Sequence, residues 1–130
     1  MSDIVKQIQL LPDFFSLAGA TKESISEAEK VLRLKFSDEY KEIVSSFGSV
    51  SVNGRELTGI CQSKRLNVIC VTLEERELNP SVPLNLYVIE QANIDGIVIW
   101  QSSSGEVYQS MPGAPMMKLC DSISEYLNSN

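Results

Sequence analysis

The best candidates for chemistry are three acidic side chains, Glu74, Glu75 and Glu77, at the end of the segment "NVICVTLEERE". Grouped carboxylates can bind a metal ion or act as a general acid or base. If this segment is helical, however, Glu74 and Glu77 share one side while Glu75 points elsewhere, which is a poor geometry for three ligands. A solvated acidic face is the better interpretation, and we predict no metal site.

The rest of the chain offers little catalytic equipment. It contains no histidine, which removes the commonest general base and the commonest metal ligand. The serine run 102–104 has no positioned base to activate a nucleophile. There is no glycine-rich phosphate loop and no acidic calcium loop of the D-x-D-x-D-G type. We therefore predict that the protein is not an enzyme and needs no cofactor.

The net charge of −6 is unevenly distributed along the chain. Residues 1–65 carry nine basic and nine acidic side chains, whereas residues 66–130 carry only Arg76 and Lys118 against eight acids. Such a surface repels phosphate backbones and attracts basic proteins, so nucleic-acid binding is disfavoured. Solubility alone is the alternative explanation for this charge.

The cysteines and the apolar segments bear on location. Cys61, Cys70 and Cys120 form no C-x-x-C pair and each lies beside aliphatic residues, which is typical of small, reduced core residues. The stretch "IQLLPDFFSLAGA" only loosely imitates a signal peptide, because Pro12 and Asp13 interrupt it. No apolar run is long enough for a membrane span. We predict a cytoplasmic protein with a single domain over residues 1–130.

Helix signals dominate the first part of the chain. Thr21 or Ser24 can cap a helix that runs to about Leu34, and Ser37 can cap a second helix. Gly48 is placed where a glycine commonly ends a helix. An apolar stripe in the second helix predicts a face turned toward a core: Phe36, Tyr40, Ile43, Val44 and Phe47.

Strand signals follow. Asn53-Gly54 between alternating segments predicts a hairpin, and residues 86–90, 96–101 and 106–110 read as strands. Residues 67–76 fit either a strand or a helix capped by Asn67. The segment "MPGAPMM" predicts an irregular loop because of its two prolines. Ser122 with Glu125 predicts a short closing helix. The order is that of an α+β protein, with two N-terminal helices, a mostly antiparallel sheet and a short C-terminal helix.

Two aromatic residues lie near the turn between the last predicted strands. Trp100 and Tyr108 occupy positions that can be neighbours on paired strands. Aromatic residues on strands are more often core than contact surface, but an aromatic residue beside acids also resembles a hot spot for protein binding.

Four motifs in order resemble the SUKH superfamily, the domain of the fungal cell-wall assembly regulator and of many bacterial immunity proteins. The resemblance covers residues ~17 to 127. Its elements are "AGATKESISEAEKVLRLKFSDEYKEIVSSFG" (18–48), "NGRELTGI" (53–60), "SSGEVY" (103–108) and "DSISEYL" (121–127). Two departures stand out, since the family usually has proline where Ser37 stands and an acid near Gln101-Ser102.

The resemblance implies an α+β fold, favours a helix for residues 67–76, and implies a non-catalytic binding module. Many bacterial members bind and block a toxin, often a nuclease. We therefore predict an immunity protein that binds a basic toxin domain made by its own cell; the alternative is an intracellular scaffold without a toxin partner. The predicted contact residues are the acids of the second half with an aromatic anchor: Glu74, Glu75, Glu77, Glu90, Asp95, Trp100, Glu106 and Tyr108.

Overall fold

A computed structural model describes residues 3–128 of the chain. Its helices are α1 (Asp3–Gln9), α2 (Lys22–Leu32), α3 (Asp38–Ser46), α4 (Val68–Leu78) and α5 (Ile123–Asn128). Its strands are β1 (Phe15–Ala18), β2 (Phe47–Val52), β3 (Arg55–Leu57), β4 (Tyr87–Gln91), β5 (Val98–Gln101), β6 (Val107–Met111) and β7 (Ala114–Cys120).

The seven strands form one sheet in which each strand pairs with its neighbour in sequence. All six pairings are antiparallel, and the order is β1-β2-β3-β4-β5-β6-β7. The α+β class is confirmed, with α2 and α3 as the two predicted N-terminal helices and α5 as the short closing helix. In addition, α1 precedes them and packs against α3 through the buried side chains of Ile4, Val5 and Ile8.

Side-chain caps explain where the helices begin. Thr21 rather than Ser24 caps α2, because its hydroxyl accepts a hydrogen bond from the Ser24 backbone N–H at 3.1 Å. Ser37 caps α3 as predicted, accepting from the Tyr40 N–H at 2.9 Å. The apolar stripe of α3 and its flanks is buried as expected.

The expectation that Gly48 ends a helix is wrong. Helix α3 ends at Ser46, and Phe47 and Gly48 are the first residues of β2. A β-carbon at Gly48 would collide with the Ala18 carbonyl oxygen of β1. The glycine is therefore needed for the close approach of two strands, not for a helix cap.

The ambiguous segment is a helix. The Asn67 side chain accepts hydrogen bonds from the backbone N–H groups of Ile69 (2.9 Å) and Cys70 (3.4 Å), and it donates to the Cys61 carbonyl. This cap decides between helix and strand, because it satisfies two of the donors that a helix start leaves free.

The hairpins give one confirmation and one correction. Asn53 and Gly54, with φ angles of 51° and 77°, form the predicted two-residue turn between Val52 and Arg55. The prediction of an irregular loop for "MPGAPMM" is wrong, since Met111 pairs with Ala114 and β7 begins there. Pro115 fits into β7 because β7 is the edge of the sheet, where one side needs no ladder donors.

The core has two parts. The larger cluster joins α1, α2, α3 and α5 to the sheet, and the smaller one lies between α4, the following loop and β4–β5. In β4, Tyr87 and Ile89 belong to the larger cluster while Val88 belongs to the smaller, as alternation along a strand requires. No helix among residues 3–128 is long and apolar enough to cross a bilayer.

A buried hydrogen-bond network joins these parts at Gln101. Its side-chain oxygen accepts from the hydroxyls of Ser37 (3.0 Å) and Tyr87 (2.7 Å). Its side-chain nitrogen donates to Glu39 (3.1 Å) and to the Gly105 carbonyl (3.0 Å). Every hydrogen-bonding position of a glutamine side chain is thus used, at a residue with 0% exposure.

Two carboxylates anchor α5. The Glu39 carboxylate accepts from the backbone N–H groups of Ile123 (2.7 Å) and Ser124 (2.9 Å) at the start of the helix. On the far side, the Tyr126 hydroxyl donates to Glu90 at 2.6 Å. Burial raises the pKa of the Glu90 carboxyl, and the hydrogen bond from Tyr126 and the charge of Arg55 only partly oppose this.

We expect Glu39→Gln to lower the free energy of unfolding by about 2 kcal/mol. The substitution replaces one accepting carboxylate oxygen with an NH₂ group, which cannot accept a hydrogen bond from a backbone N–H of α5. The measurement is urea unfolding followed by circular dichroism. Glu42→Gln, at an exposed position of the same helix, is the control and should leave the midpoint unchanged. Equal midpoints for the two variants would contradict the anchoring role of Glu39.

The pH dependence of stability should reveal the buried Glu90. Because its folded pKa lies above the unfolded value, stability is lost as the pH rises through the window between them. Glu90→Gln has no such loss and can still accept from Tyr126. The free energy of unfolding of the variant, relative to that of the wild type, should therefore be higher at about pH 7.5 than at about pH 3.5. Urea unfolding at both pH values measures this, with the exposed Glu74→Gln as control. A gain that is equal at the two pH values would refute the assignment.

Candidate functional site

A groove of about 330 Å³ lies between the C-terminal half of α4 and the turn that joins β4 to β5; it is called the α4 groove below. Its volume is at the lower end of the range for ligand pockets in proteins. Its polar wall consists of Glu75, Asn79, Gln91 and Asn93. Its apolar wall consists of Leu78, Gly96, Ile97, Val98 and Pro112.

Glu75 is the charged group of the wall, and only 8% of it is exposed. Its carboxylate accepts hydrogen bonds from the Gln91 side-chain amide at 2.6 Å and from the Asn79 side-chain amide at 3.2 Å. The Asn79 amide nitrogen also donates to the Glu75 backbone carbonyl at 2.8 Å, so both of its hydrogen bonds are made to Glu75. These bonds hold the carboxylate in place without neutralising its charge.

Several residues that adjoin the groove lining in sequence are acidic or apolar, and they are called the rim below. Glu74 and Glu77 are exposed on α4, and Asp95 is exposed on the turn beside Gly96. Within residues 3–128 none of these three forms an ion pair. Leu78, which lines the groove, and Ile94, which follows the lining residue Asn93, have 76% and 60% of their surfaces exposed.

The local sequence explains the shape of the turn. Asn93, Asp95 and Gly96 all adopt positive φ angles, of 58°, 54° and 69°, a region that asparagine, aspartate and glycine tolerate best. A β-carbon at Gly96 would lie 2.8 Å from Cγ of Pro112, so only glycine lets the turn approach the β6–β7 hairpin. The contact between Gly96 and Pro112 closes one side of the groove.

Neither cation of the second half reaches the groove acids. Arg76 donates to the backbone carbonyls of Leu32 (3.1 Å) and Leu84 (2.8 Å). Lys118 pairs with Glu106 at 3.2 Å and with Asp121 at 2.7 Å. Arg65, which lines a neighbouring pocket together with Gln91 and Asn93, pairs with Glu56. Within residues 3–128 the acids in and beside the α4 groove therefore have no ion-pair partner.

Two predicted contact residues, Glu106 and Tyr108, belong to a different place. Tyr108 donates to Glu106 at 3.1 Å, and this bond and Lys118 lower the pKa of the Glu106 carboxyl, with Lys118 contributing most. They follow the turn after Gln101, whereas the α4 groove touches Val98 at the opposite end of β5. Both side chains are half-buried.

Two other predicted contact residues are internal. Trp100 pairs with Tyr108 across β5 and β6 as expected, but it has 0% exposure and its indole N–H donates to Ser110 at 2.8 Å. Glu90 is 6% exposed and faces α5. Both therefore serve the core, and a partner cannot touch Trp100 without displacing its neighbours; the anchor role is corrected accordingly.

Sequence reasoning missed the apolar and amide parts of the groove. Leu78 follows Glu74 by four residues, so a helix reading of this segment places both on one flank. Asn93 and Gly96 were visible as turn residues, but the contact with Pro112 joins segments far apart in sequence. Gln91 gave no signal, because its role depends entirely on where α4 lies.

The groove offers hydrogen-bonding groups and apolar surface to a ligand. Among residues 3–128, no three His, Cys, Asp or Glu side chains are grouped closely enough to hold a metal ion. The groove presents a carboxylate, amide groups and apolar surface, with no nucleophile beside a base. A second groove, of about 440 Å³ at the end of α2, has the opposite character, since three cations line it: Lys30, Arg33 and Lys35.

Comparison with known proteins gives a family and a fold. The family model SUKH_5, described as "SMI1-KNR4 cell-wall", matches residues 1–129. A search of curated proteins finds no match. A crystal structure of a protein from Pseudomonas syringae pv. tomato superposes with a TM-score of 0.78 at 14% identity, covering 98% of this chain and 96% of that one.

The identity to that structure is low, so it supports the fold alone. The family match extends over nearly the whole chain and agrees with the order of motifs read from the sequence. The chain belongs to the SMI1-KNR4 family of the SUKH superfamily.

Proposed function

We propose that this chain is an immunity protein: it binds a toxin domain made by its own cell and blocks the toxin's basic active site. A nuclease is the class of toxin that fits best, because a nuclease needs a positively charged channel for its substrate. The observation that carries the proposal is the group of exposed, unpaired acids at the α4 groove, Glu74, Glu77 and Asp95.

Family membership supports the proposal, because many bacterial members of the superfamily act in this way. The charge supports it independently. An acidic surface that no internal cation neutralises attracts a basic partner and speeds the encounter between the two proteins. Leu78 and Ile94 add apolar area within the same surface, and apolar contacts inside a polar rim are typical of protein interfaces.

Blocking needs no chemistry from this chain. Carboxylates that occupy the phosphate positions of a nuclease channel exclude the substrate by charge and by volume. Such a protein would act in the cytoplasm, where the toxin is made. Glu106 and Tyr108 can extend the contact along the sheet, whereas Glu75 contributes from inside the groove.

Capture of the tagged protein from its own cells, in moderate salt, tests the proposal directly. Mass spectrometry should identify one dominant partner with a basic domain, and the purified chain should inhibit that domain's activity at about equimolar amounts. Many weak partners, none of them inhibited, would instead favour a scaffold.

Removal of the rim charges should slow binding. The triple variant Glu74→Gln/Glu77→Gln/Asp95→Asn should reduce the association rate constant for the toxin roughly tenfold at low salt, with a smaller change in dissociation. Asparagine tolerates the positive φ at position 95. Stopped-flow or surface plasmon resonance measures both rates, and added salt should reduce the difference between the variant and the wild type.

The matched control is Glu27→Gln/Glu42→Gln/Asp13→Asn. It changes the net charge equally, at two exposed helix positions and one positive-φ aspartate away from the α4 groove. It should alter the association rate constant less than about twofold, because steering depends on where the charge lies. Equal effects of the two triple variants, or a wild-type rate that salt does not change, would refute the electrostatic contact.

A further inference from the structure

The polar wall of the α4 groove is rich in acceptors. Gln91 and Asn79 each direct their side-chain nitrogen at Glu75, at 2.6 Å and 3.2 Å. The opposite orientation of either amide would point a carbonyl oxygen at a carboxylate, so charge fixes which way the two amides face. Their side-chain oxygens accept no hydrogen bond from residues 3–128, and neither does that of Asn93.

The charge at the centre of this wall is also uncompensated. Glu75 is buried, yet no basic side chain within the described part of the chain pairs with it. The Asn79 and Gln91 amides hold its carboxylate in place, so a cation that enters the groove meets an acceptor that is already fixed. Such preorganisation favours binding of a donor-rich cation.

We propose that the α4 groove binds the guanidinium of an arginine side chain of the protein partner. The inference rests on the proposed function for the partner's identity, and it names the group that the groove receives. The carboxylate of Glu75 and the side-chain oxygens of Asn79, Gln91 and Asn93 are its acceptors. The exposed acids of the rim attract it before contact.

Arginine suits this wall better than lysine does. A guanidinium carries five N–H donors in a plane and no acceptor, and it is less strongly hydrated than an ammonium. It can therefore satisfy a carboxylate and amide oxygens together. The apolar wall, with Leu78, Ile97 and Val98, suits the methylene stem that carries the guanidinium.

A small probe tests the pocket without the toxin. In ¹H–¹⁵N NMR spectra of the full chain, N-acetyl-arginine amide should shift the side-chain amides of Asn79 and Gln91 and the backbone amide of Gly96. We expect saturation with a dissociation constant of the order of millimolar. N-acetyl-lysine amide should bind at least about threefold more weakly, and the neutral citrulline analogue should cause no saturable shift.

Two variants assign the effect to named acceptors. Glu75→Gln should abolish saturable binding of the arginine probe. Asn93→Gly removes one oxygen while keeping the positive φ and should weaken binding roughly threefold; Asn53→Gly, at a positive-φ turn position away from the groove, is its control and should change nothing. The inference is overturned by no saturable shift up to about 50 mM, by equal binding of the lysine probe, or by Asn93→Gly matching the wild type.

The two proposals can fail separately. An inhibited toxin whose affinity is unchanged by Glu75→Gln would overturn the arginine inference and leave the immunity function standing. Saturable arginine binding together with no inhibited toxin would overturn the immunity function and leave the arginine inference standing.

Discussion

The fully satisfied side chain of Gln101 is the constraint on which the other elements depend. It ties the start of α3, strand β4, the turn after β5 and, through Glu39, the start of α5. A carboxylate at this position could not donate to Glu39 or to the Gly105 carbonyl and would oppose the charge of Glu39. The negative charge lies on Glu39, whose carboxylate accepts hydrogen bonds from the backbone N–H groups of Ile123 and Ser124 at the start of α5.

The position of β5 links this network to the candidate site. Gln101 ends the strand inside the core, and Val98, at its beginning, forms part of the α4 groove. Helix α4 lies on the smaller core cluster, in which Val71 packs with Val88, Val98 and Trp100. The groove therefore has a closely packed floor. Trp100 belongs to this floor.

Local signals predicted the elements whose ends are set by local chemistry. Caps such as Ser37 and the turn at Asn53-Gly54 act within a few residues, so the sequence shows them directly. Gly48 and Pro115 were misread because their roles depend on strands distant in sequence: one allows β1 to approach, and the other is tolerated only at a sheet edge.

The same limit applies to the site. The acids of α4 and Asp95 were visible, but only the tertiary contact between α4 and the turn joins them with Asn79 and Gln91. Burial, which removed Glu90 and Trp100 from the surface, is likewise a property of the whole fold.

The charge arrangement at the groove argues for a binding role over a purely structural one. A fold selected for stability alone would pair a buried carboxylate with a cation or replace it with an apolar side chain, because burial of an unpaired charge is unfavourable. Here the two cations of the second half have other partners. Arg76 donates to backbone carbonyls, and Lys118 pairs with Glu106 and Asp121. Glu75 is kept in place by two amides that cannot neutralise it. Violations of this kind are typical of functional sites. A solubility role accounts for Glu74, Glu77 and Asp95 at the surface, but it does not account for a carboxylate that is 8% exposed.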